Sequence, residues 1–278
     1  MNLLQKTLEL CQLYGIKPSR SKGQNFLIEE EVYDRIVDSA NIKKEDTVLE
    51  VGPGLGFLTL KLGQKAKKVL AVELDTKIFQ FLQVMLQTQK IENIKVFNND
   101  ILQAKGEKFS KMGKYKIVSN LPYNITSVFL RKFLSLSNKP ELIVLMLQKE
   151  VAQRIVAQAP DMSLLSASVQ FYAQAEILFE VNRDKFYPAP EVDSAVIRIK
   201  PIANRLKNYE EEKKFFSILK IGFSAKRKML KNNLSLGLKM DIKEIENILN
   251  QASLDSKVRA EELTIDNWLN IYRLVCFL

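Results

Sequence analysis

Thr47-Val48-Leu49-Glu50-Val51-Gly52-Pro53-Gly54-Leu55-Gly56-Phe57 decides the fold. Its first five residues are β-branched or aliphatic around one acid and read as a strand. Three glycines then make a tight turn, and a helical pattern starts at about Phe57. The same alternation continues downstream. Lys68-Val69-Leu70-Ala71-Val72-Glu73 reads as a second strand, and Ile78, Phe79, Leu82, Met85 and Leu86 recur at helical spacing. Ile94 to Phe97 is a third strand and Tyr115 to Ser119 a fourth. Leu142 to Leu147 is a near-continuous apolar run, as expected of a strand covered on both faces. Strands alternating with helices in this way predict an α/β fold, an open parallel sheet with helices on both sides.

Further along, Ser168 to Glu180 and Val192 to Ile199 read as two extended segments around a proline-containing loop, an antiparallel edge to the sheet. After Pro201 the strand signal vanishes. Phe215, Phe216, Leu219 and Ile221, and later Ile242, Ile245 and Ile248, fit amphipathic helices. The boundary falls at about residue 205, giving a larger domain over 1–204 and a helical one over 205–278. At the start, Met1 to Leu10 carries Lys6 and Glu9 and no small-residue cleavage site, so it reads as a helix and not a signal peptide.

Composition removes several chemistries. The 278 residues contain no histidine, which excludes Ser-His and Cys-His nucleophilic catalysis and histidine metal sites. The two cysteines, Cys11 and Cys276, lie at opposite ends without metal-site spacing, and two reduced thiols are expected. No metal is expected. No apolar stretch approaches the roughly 20 residues that span a bilayer. The formal charge is +10, and residues 201–240 alone carry ten Lys/Arg against Glu210, Glu211 and Glu212. Such a run is either a solvated helix face or a contact for a polyanion.

In an open α/β sheet, ligands bind at the carboxyl ends of the strands. Gly52 and Gly54 there permit positive φ and close approach to a ligand. Glu73 follows 21 positions after Gly52, at the end of the next strand, where a carboxylate can accept from both ribose hydroxyls. The dinucleotide fingerprint needs a glycine at the position of Phe57, so NAD fits poorly. The G-x-G-x-G form suits S-adenosylmethionine, which has no pyrophosphate. Asp100 ends the third strand, placed to bond an adenine amino group while Ile101 packs on the ring. Taken singly, each acid also reads as a strand-end turn or a helix cap.

Asn120-Leu121-Pro122-Tyr123 follows the fourth strand and is the most specific signal in the chain. An adenine N6 amine is a poor nucleophile because its lone pair is delocalised into the ring. The amide oxygen of Asn120 and the carbonyl of Leu121 can both accept from that amine and draw it toward tetrahedral geometry. Pro122 stiffens the loop. Tyr123 offers a face for the base, worth about 1–3 kcal/mol. Methyl transfer from a sulfonium needs positioning more than acid-base groups, which agrees with the missing histidines. A second aromatic is expected across the base, and Phe186, in Phe186-Tyr187-Pro188-Ala189-Pro190, is a candidate that also reads as core.

At these residues the sequence resembles the ribosomal RNA adenine N6,N6-dimethyltransferases, in particular the small-subunit (16S) branch whose loss confers kasugamycin resistance. The resemblance covers essentially the whole chain. It runs through Gly23-Gln24-Asn25-Phe26-Leu27, Glu50 to Gly56, Val72-Glu73-Leu74-Asp75, Asn99-Asp100-Ile101, Asn120 to Ile125, Gln148-Lys149-Glu150-Val151, Phe186 to Ser194, Arg227-Lys228-Met229-Leu230 and Arg259-Ala260-Glu261-Glu262-Leu263. It implies a class I S-adenosylmethionine-dependent methyltransferase fold, Rossmann-like with a mostly parallel seven-stranded sheet, and a small C-terminal all-helical domain that recognises RNA. It implies transfer of two methyls to each of two adjacent adenosines near the 3′ end of 16S rRNA in the immature small subunit, with S-adenosyl-L-homocysteine as product and a role in subunit biogenesis. By matching motifs, Asn25, Leu27, Gly52, Glu73, Asp100 and Asn120 contact the cofactor, and Tyr123 and Phe186 sandwich the target base.

Three other readings share these motifs: a 23S rRNA adenine methyltransferase of the macrolide-resistance type, a DNA adenine methyltransferase, and a non-catalytic RNA-binding assembly factor. Asn120 to Ile125 and Arg259 to Leu263 favour the small-subunit branch. The family also gives the basic stretch at 205–239 a job, contact with RNA phosphates. The chain shows no heptads, so a monomer is expected. Its Lys- and Ile-rich composition without a transit peptide suggests a cytoplasmic bacterial protein.

Overall fold

The Thr47–Val51 strand lies third from one edge of a seven-stranded sheet. In the computed structural model, which describes residues 2–19, 23–104 and 112–276, the strands are β1 (Phe26–Leu27), β2 (Thr47–Val51), β3 (Lys68–Glu73), β4 (Ile94–Asn98), β5 (Lys116–Asn120), β6 (Leu142–Gln148), β7 (Ala173–Val181), β8 (Phe186–Tyr187) and β9 (Ser194–Pro201). The sheet order is β4-β3-β2-β5-β6-β9-β7, and β1 pairs with β8 apart from it. The β4 to β6 half is parallel, with Leu49 opposite Leu70 and Val118 opposite Val144. β9 runs antiparallel to β6, with Leu145 opposite Ile197. This is the mostly parallel, Rossmann-like class I architecture that the family resemblance implies.

Crossover helices put parallel strands in the interior, and Ile143 to Leu147 are accordingly fully buried. Val48, Val69, Val118 and Val144 project to one face of the sheet and join Ile36, Leu58, Leu62 and Leu82 in one core. The helices supplying it are α1 (Leu3–Leu13), α2 (Glu30–Ser39), α3 (Phe57–Lys65) and α4 (Thr76–Thr88). Asp75 caps α4, its Oδ1 accepting from the N–H of Lys77 at 3.0 Å, so the residue after β3 both stops the strand and starts the helix. α5 (Thr126–Leu134) buries Phe129 and Phe133. α6 (Lys149–Val156) follows β6.

The chain divides into two compact units, Met1–Ala152 with Ala175–Pro201, and Gln153–Gln174 with Ile202–Leu278. Where the sequence suggests one cut near residue 205, the second unit thus also takes a segment from before β9. That segment corrects the reading of Ser168 to Glu180 as extended. Leu164–Tyr172 is helical (α7), started by a capping box in which Ser163 and Ser166 exchange hydrogen bonds, and the strand begins only at Ala173. The reason is packing: Phe171 stacks on Phe215 with ring centroids 4.7 Å apart. Aromatic and β-branched residues that favour a strand in isolation are overridden by that contact. The second unit continues as α8 (Tyr209–Gly222), α9 (Leu230–Leu238), α10 (Ile242–Gln251) and α11 (Ile265–Cys276), the last carrying the fully buried Trp268. The turn between α8 and α9 exposes Lys226, Arg227 and Lys228. Among the described residues no helix is long and apolar enough to cross a membrane.

Candidate active site

The carboxyl ends of β2, β3 and β5 converge on a cavity of about 300 Å³. Asn25, Leu27, Gly52, Gly54, Glu73, Asp100, Ile101 and Asn120 all line it, and so do Pro122 and Tyr123. Residues read from motifs spread over a hundred positions therefore face one space. Leu121 and Phe186 do not line it.

The floor is the glycine turn. Gly52 and Gly54 have φ of +67° and +56°, in the left-handed region, where any Cβ is strained. A methyl built on Gly54 would stand 3.3 Å from the ring of Phe26, and one on Gly52 would stand 3.3 Å from Cδ of Pro122. Pro122 also packs toward Gly23, where a Cβ would lie 3.5 Å from its own Cβ. One proline ring thus spaces three loops that form the cavity wall.

Two of the four acids that line the site, Glu73 and Glu50, are buried. Glu73 closes β3 and is 6% exposed. Its Oε1 accepts from the N–H of Asp75 at 2.8 Å. Burial raises its pKa, opposed by hydrogen bonds from the N–H groups of Asp75, Gly54 and Leu74. Glu50 lies in β2, 1% exposed, and also lines the cavity. Its Oε2 has no hydrogen-bond partner among the described residues. Burial is the largest cause that pushes its pKa up to about 8, with the charge of Glu73 adding and Thr59 opposing. A sequence reading takes Glu50 as one more strand residue. Its burial shows only once both sheet faces are covered.

Asp100 stands two residues beyond the end of β4, further from the strand than the sequence suggests. Its Oδ1 accepts from the N–H of Leu102 at 2.8 Å, which shapes the turn that presents Ile101, 4% exposed. Gln24, given no role by the sequence reading, lines the cavity beside Asn25; its Nε2 donates to Oδ2 of Asp75 at 3.4 Å.

Asn120 is the last residue of β5, in register with Met146, and the N–H of Leu121 donates to the Met146 carbonyl at 3.1 Å. The Ser119 hydroxyl donates to the Val51 carbonyl and ties β5 to β2 just before the glycine turn. The Leu121 side chain is buried and pins the corner. Tyr123 opens a short 3-10 turn, Tyr123–Ile125, half-buried, with its Oη 2.7 Å from Oγ of Ser194. Phe186 takes the core role that the sequence also allowed. It is 3% exposed, sits opposite Leu27 in the β1–β8 pair and belongs to the main core, so the described arrangement does not present it across a base from Tyr123.

Known proteins match this layout. Residues 16–275 match the family described as ribosomal RNA adenine dimethylase. The ribosomal RNA small subunit methyltransferase A of Dehalococcoides mccartyi is 40% identical over 271 residues, covering 96% of this chain and 91% of its own. The protein of the same name from Clostridioides difficile is 39% identical over 269 residues, covering 94% and 92%. Among solved structures, a dimethyladenosine transferase from Plasmodium falciparum superposes with a TM-score of 0.75 at 27% identity, over 88% of this chain and 95% of its own. The 23S rRNA methyltransferase ErmE gives 0.71 at 26%, over 91% and 100%.

Proposed function

The chain belongs to the ribosomal RNA adenine dimethylase family, and from that premise we propose that it dimethylates N6 of two adjacent adenosines near the 3′ end of 16S rRNA, using S-adenosylmethionine, during small-subunit biogenesis. The observation that carries the reading is that Asn120, Pro122 and Tyr123 line one cavity with the glycine turn and Glu73. Small-subunit relatives at 36–41% identity over nearly the whole chain favour this substrate over that of ErmE, at 26%.

The residues present fit the cofactor. Its adenosine suits a cleft holding a ribose acceptor, Glu73, an adenine-edge acceptor, Asp100, and the apolar Ile101. Its ammonium tail suits a cavity whose buried Glu50 oxygen has no hydrogen-bond partner among the described residues. Bare α-carbons at Gly52 and Gly54 keep the turn open to it, and Asn25 and Leu27 line the same cavity. When bound, it supplies an electrophilic methyl group on sulfur.

The chain's own residues then act on the adenine. The Asn120 amide oxygen accepts from the N6 amine, orients its lone pair and favours the geometry of attack, while the buried Leu121, which does not line the cavity, pins the corner that carries it. Tyr123 stacks on the unpaired base. The exposed cations between α8 and α9 meet RNA phosphates, and we take the helical segment as the RNA-recognition domain and the enzyme as a cytoplasmic monomer. The test offers isotopically labelled cofactor with equal amounts of immature small subunits, 23S rRNA fragments and adenine-containing DNA. Label confined to the small-subunit RNA supports the proposal, and preference for either other acceptor overturns it.

A further inference from the structure

Ser194 is a buried hydroxyl beside the site to which the motifs give no task. It is fully shielded, the first residue of β9, and stands opposite Gln148, the last residue of β6. Because β9 runs against the parallel strands, its beginning reaches the carboxyl edge of the sheet, where the cavity opens. The backbone there is fixed from two sides. The Asp193 carbonyl accepts from the N–H of Lys149 at 2.9 Å, and Asp193 Oδ1 accepts from the N–H of Arg183 at 3.0 Å. From this frame Oγ of Ser194 meets Oη of Tyr123 at 2.7 Å. At the other end of the phenol, the Tyr123 backbone is held behind Pro122, and the Thr126 hydroxyl donates to its carbonyl at 3.3 Å.

A ring attached only at Cβ hops between rotamers. A second anchor at Oη fixes the long axis of the side chain and leaves only rotation about that axis. Stacking itself does not need the hydroxyl, since phenylalanine offers the same π-face. The Tyr123 hydroxyl is therefore accounted for by its partner and not by the base. Burial raises the phenol's pKa against the opposing effect of Ser194, so the pair stays neutral at physiological pH.

We propose that Ser194 is a positioning residue for base capture: it holds the long axis of Tyr123 so that the ring presents its face beside Asn120. The proposal rests on Tyr123 as the stacking platform described above. Ser194 acts through Tyr123 alone, so deleting either hydroxyl removes the same interaction.

The experiment is a double-mutant cycle on the full-length protein with small subunits as acceptor, comparing Ser194→Ala, Tyr123→Phe and the double variant. Each single variant is expected to lower kcat/KM roughly two- to twelvefold, the worth of one net hydrogen bond, with cofactor Kd unchanged. The double variant is expected to be no worse than the worse single, and Ser194→Thr to recover part of the loss. Wild-type kcat/KM in either single variant, or losses that multiply in the double, overturns the proposal. If Ser194→Ala lowers the Tm, Tyr123→Phe still decides, because it leaves the strand untouched. Tyr123→Ala separates the two levels of the claim. Full activity there removes the stacking reading and the proposal with it. Loss of activity there, with both hydroxyl deletions at wild-type rates, overturns the role of Ser194 alone.

Discussion

Pro122 and Gly52 meet face to face: a Cβ on the glycine would stand 3.3 Å from Cδ of the proline ring. That contact therefore spaces the glycine turn from the Asn120–Tyr123 corner, the two parts proposed to receive the cofactor and the adenine. Gly52→Ala adds a left-handed alanine and crowds that ring. A cost of about 1–2 kcal/mol is expected, seen as a Tm lower by a few degrees. Cofactor Kd, measured by calorimetry, should rise at least tenfold, because the crowding falls on the site itself.

Glu73→Ala tests the ribose contact separately. Two charge-assisted hydrogen bonds are removed, each worth about 1.5–3 kcal/mol, so a rise in cofactor Kd of about one hundredfold or more is expected. The fold should survive, because the side chain stands at the end of β3 facing the cavity. An unchanged Kd would move the ribose elsewhere.

The strands and most of the residues that line the cavity are legible in the sequence because their signals are local. β-branched runs, a glycine turn and acids at strand ends need no knowledge of distant neighbours. What escapes depends on long-range placement. Ser194 lies 71 positions from Tyr123, and their contact exists only because β9 is inserted beside β6 against the direction of the parallel strands. Ser168 to Tyr172 becomes helix because Phe171 finds Phe215. Phe186 is core because its two-residue strand pairs with β1. In each case tertiary contact decides among local options that the chain leaves open.

Glu50 makes stability depend on pH. Its folded-state pKa is about 8 against an ordinary 4.5, so between those values the folded state binds more protons than the unfolded state. Stability from this group is complete below about pH 4.5 and is lost as pH rises through about 8. Glu50→Gln should flatten that fall and raise stability at pH 8.5 by about 2–5 kcal/mol. Denaturant unfolding of both proteins at pH 6 and 8.5 checks this. Parallel pH profiles would mean that Glu50 is ionised in the folded protein.

The exposed turn between α8 and α9 should govern the salt dependence of RNA binding. Replacing Arg227 and Lys228 with alanine is expected to weaken binding to small-subunit RNA at every sequence tested and to reduce the slope of log K against log salt by roughly 1–2. Cofactor affinity should not change. An unaltered slope would place the phosphate contacts on another surface.

The central claim is that Asn120 and Tyr123 present an adenine amine to a methyl donor held over the glycine turn. Its most direct test is mass-spectrometric mapping of small-subunit rRNA after reaction with the wild-type protein and with Asn120→Ala. Two neighbouring N6,N6-dimethyladenosines near the 3′ end with the wild type, and their loss with the variant at unchanged cofactor Kd, are expected. Full dimethylation by Asn120→Ala, or modification of any atom other than N6, would contradict it.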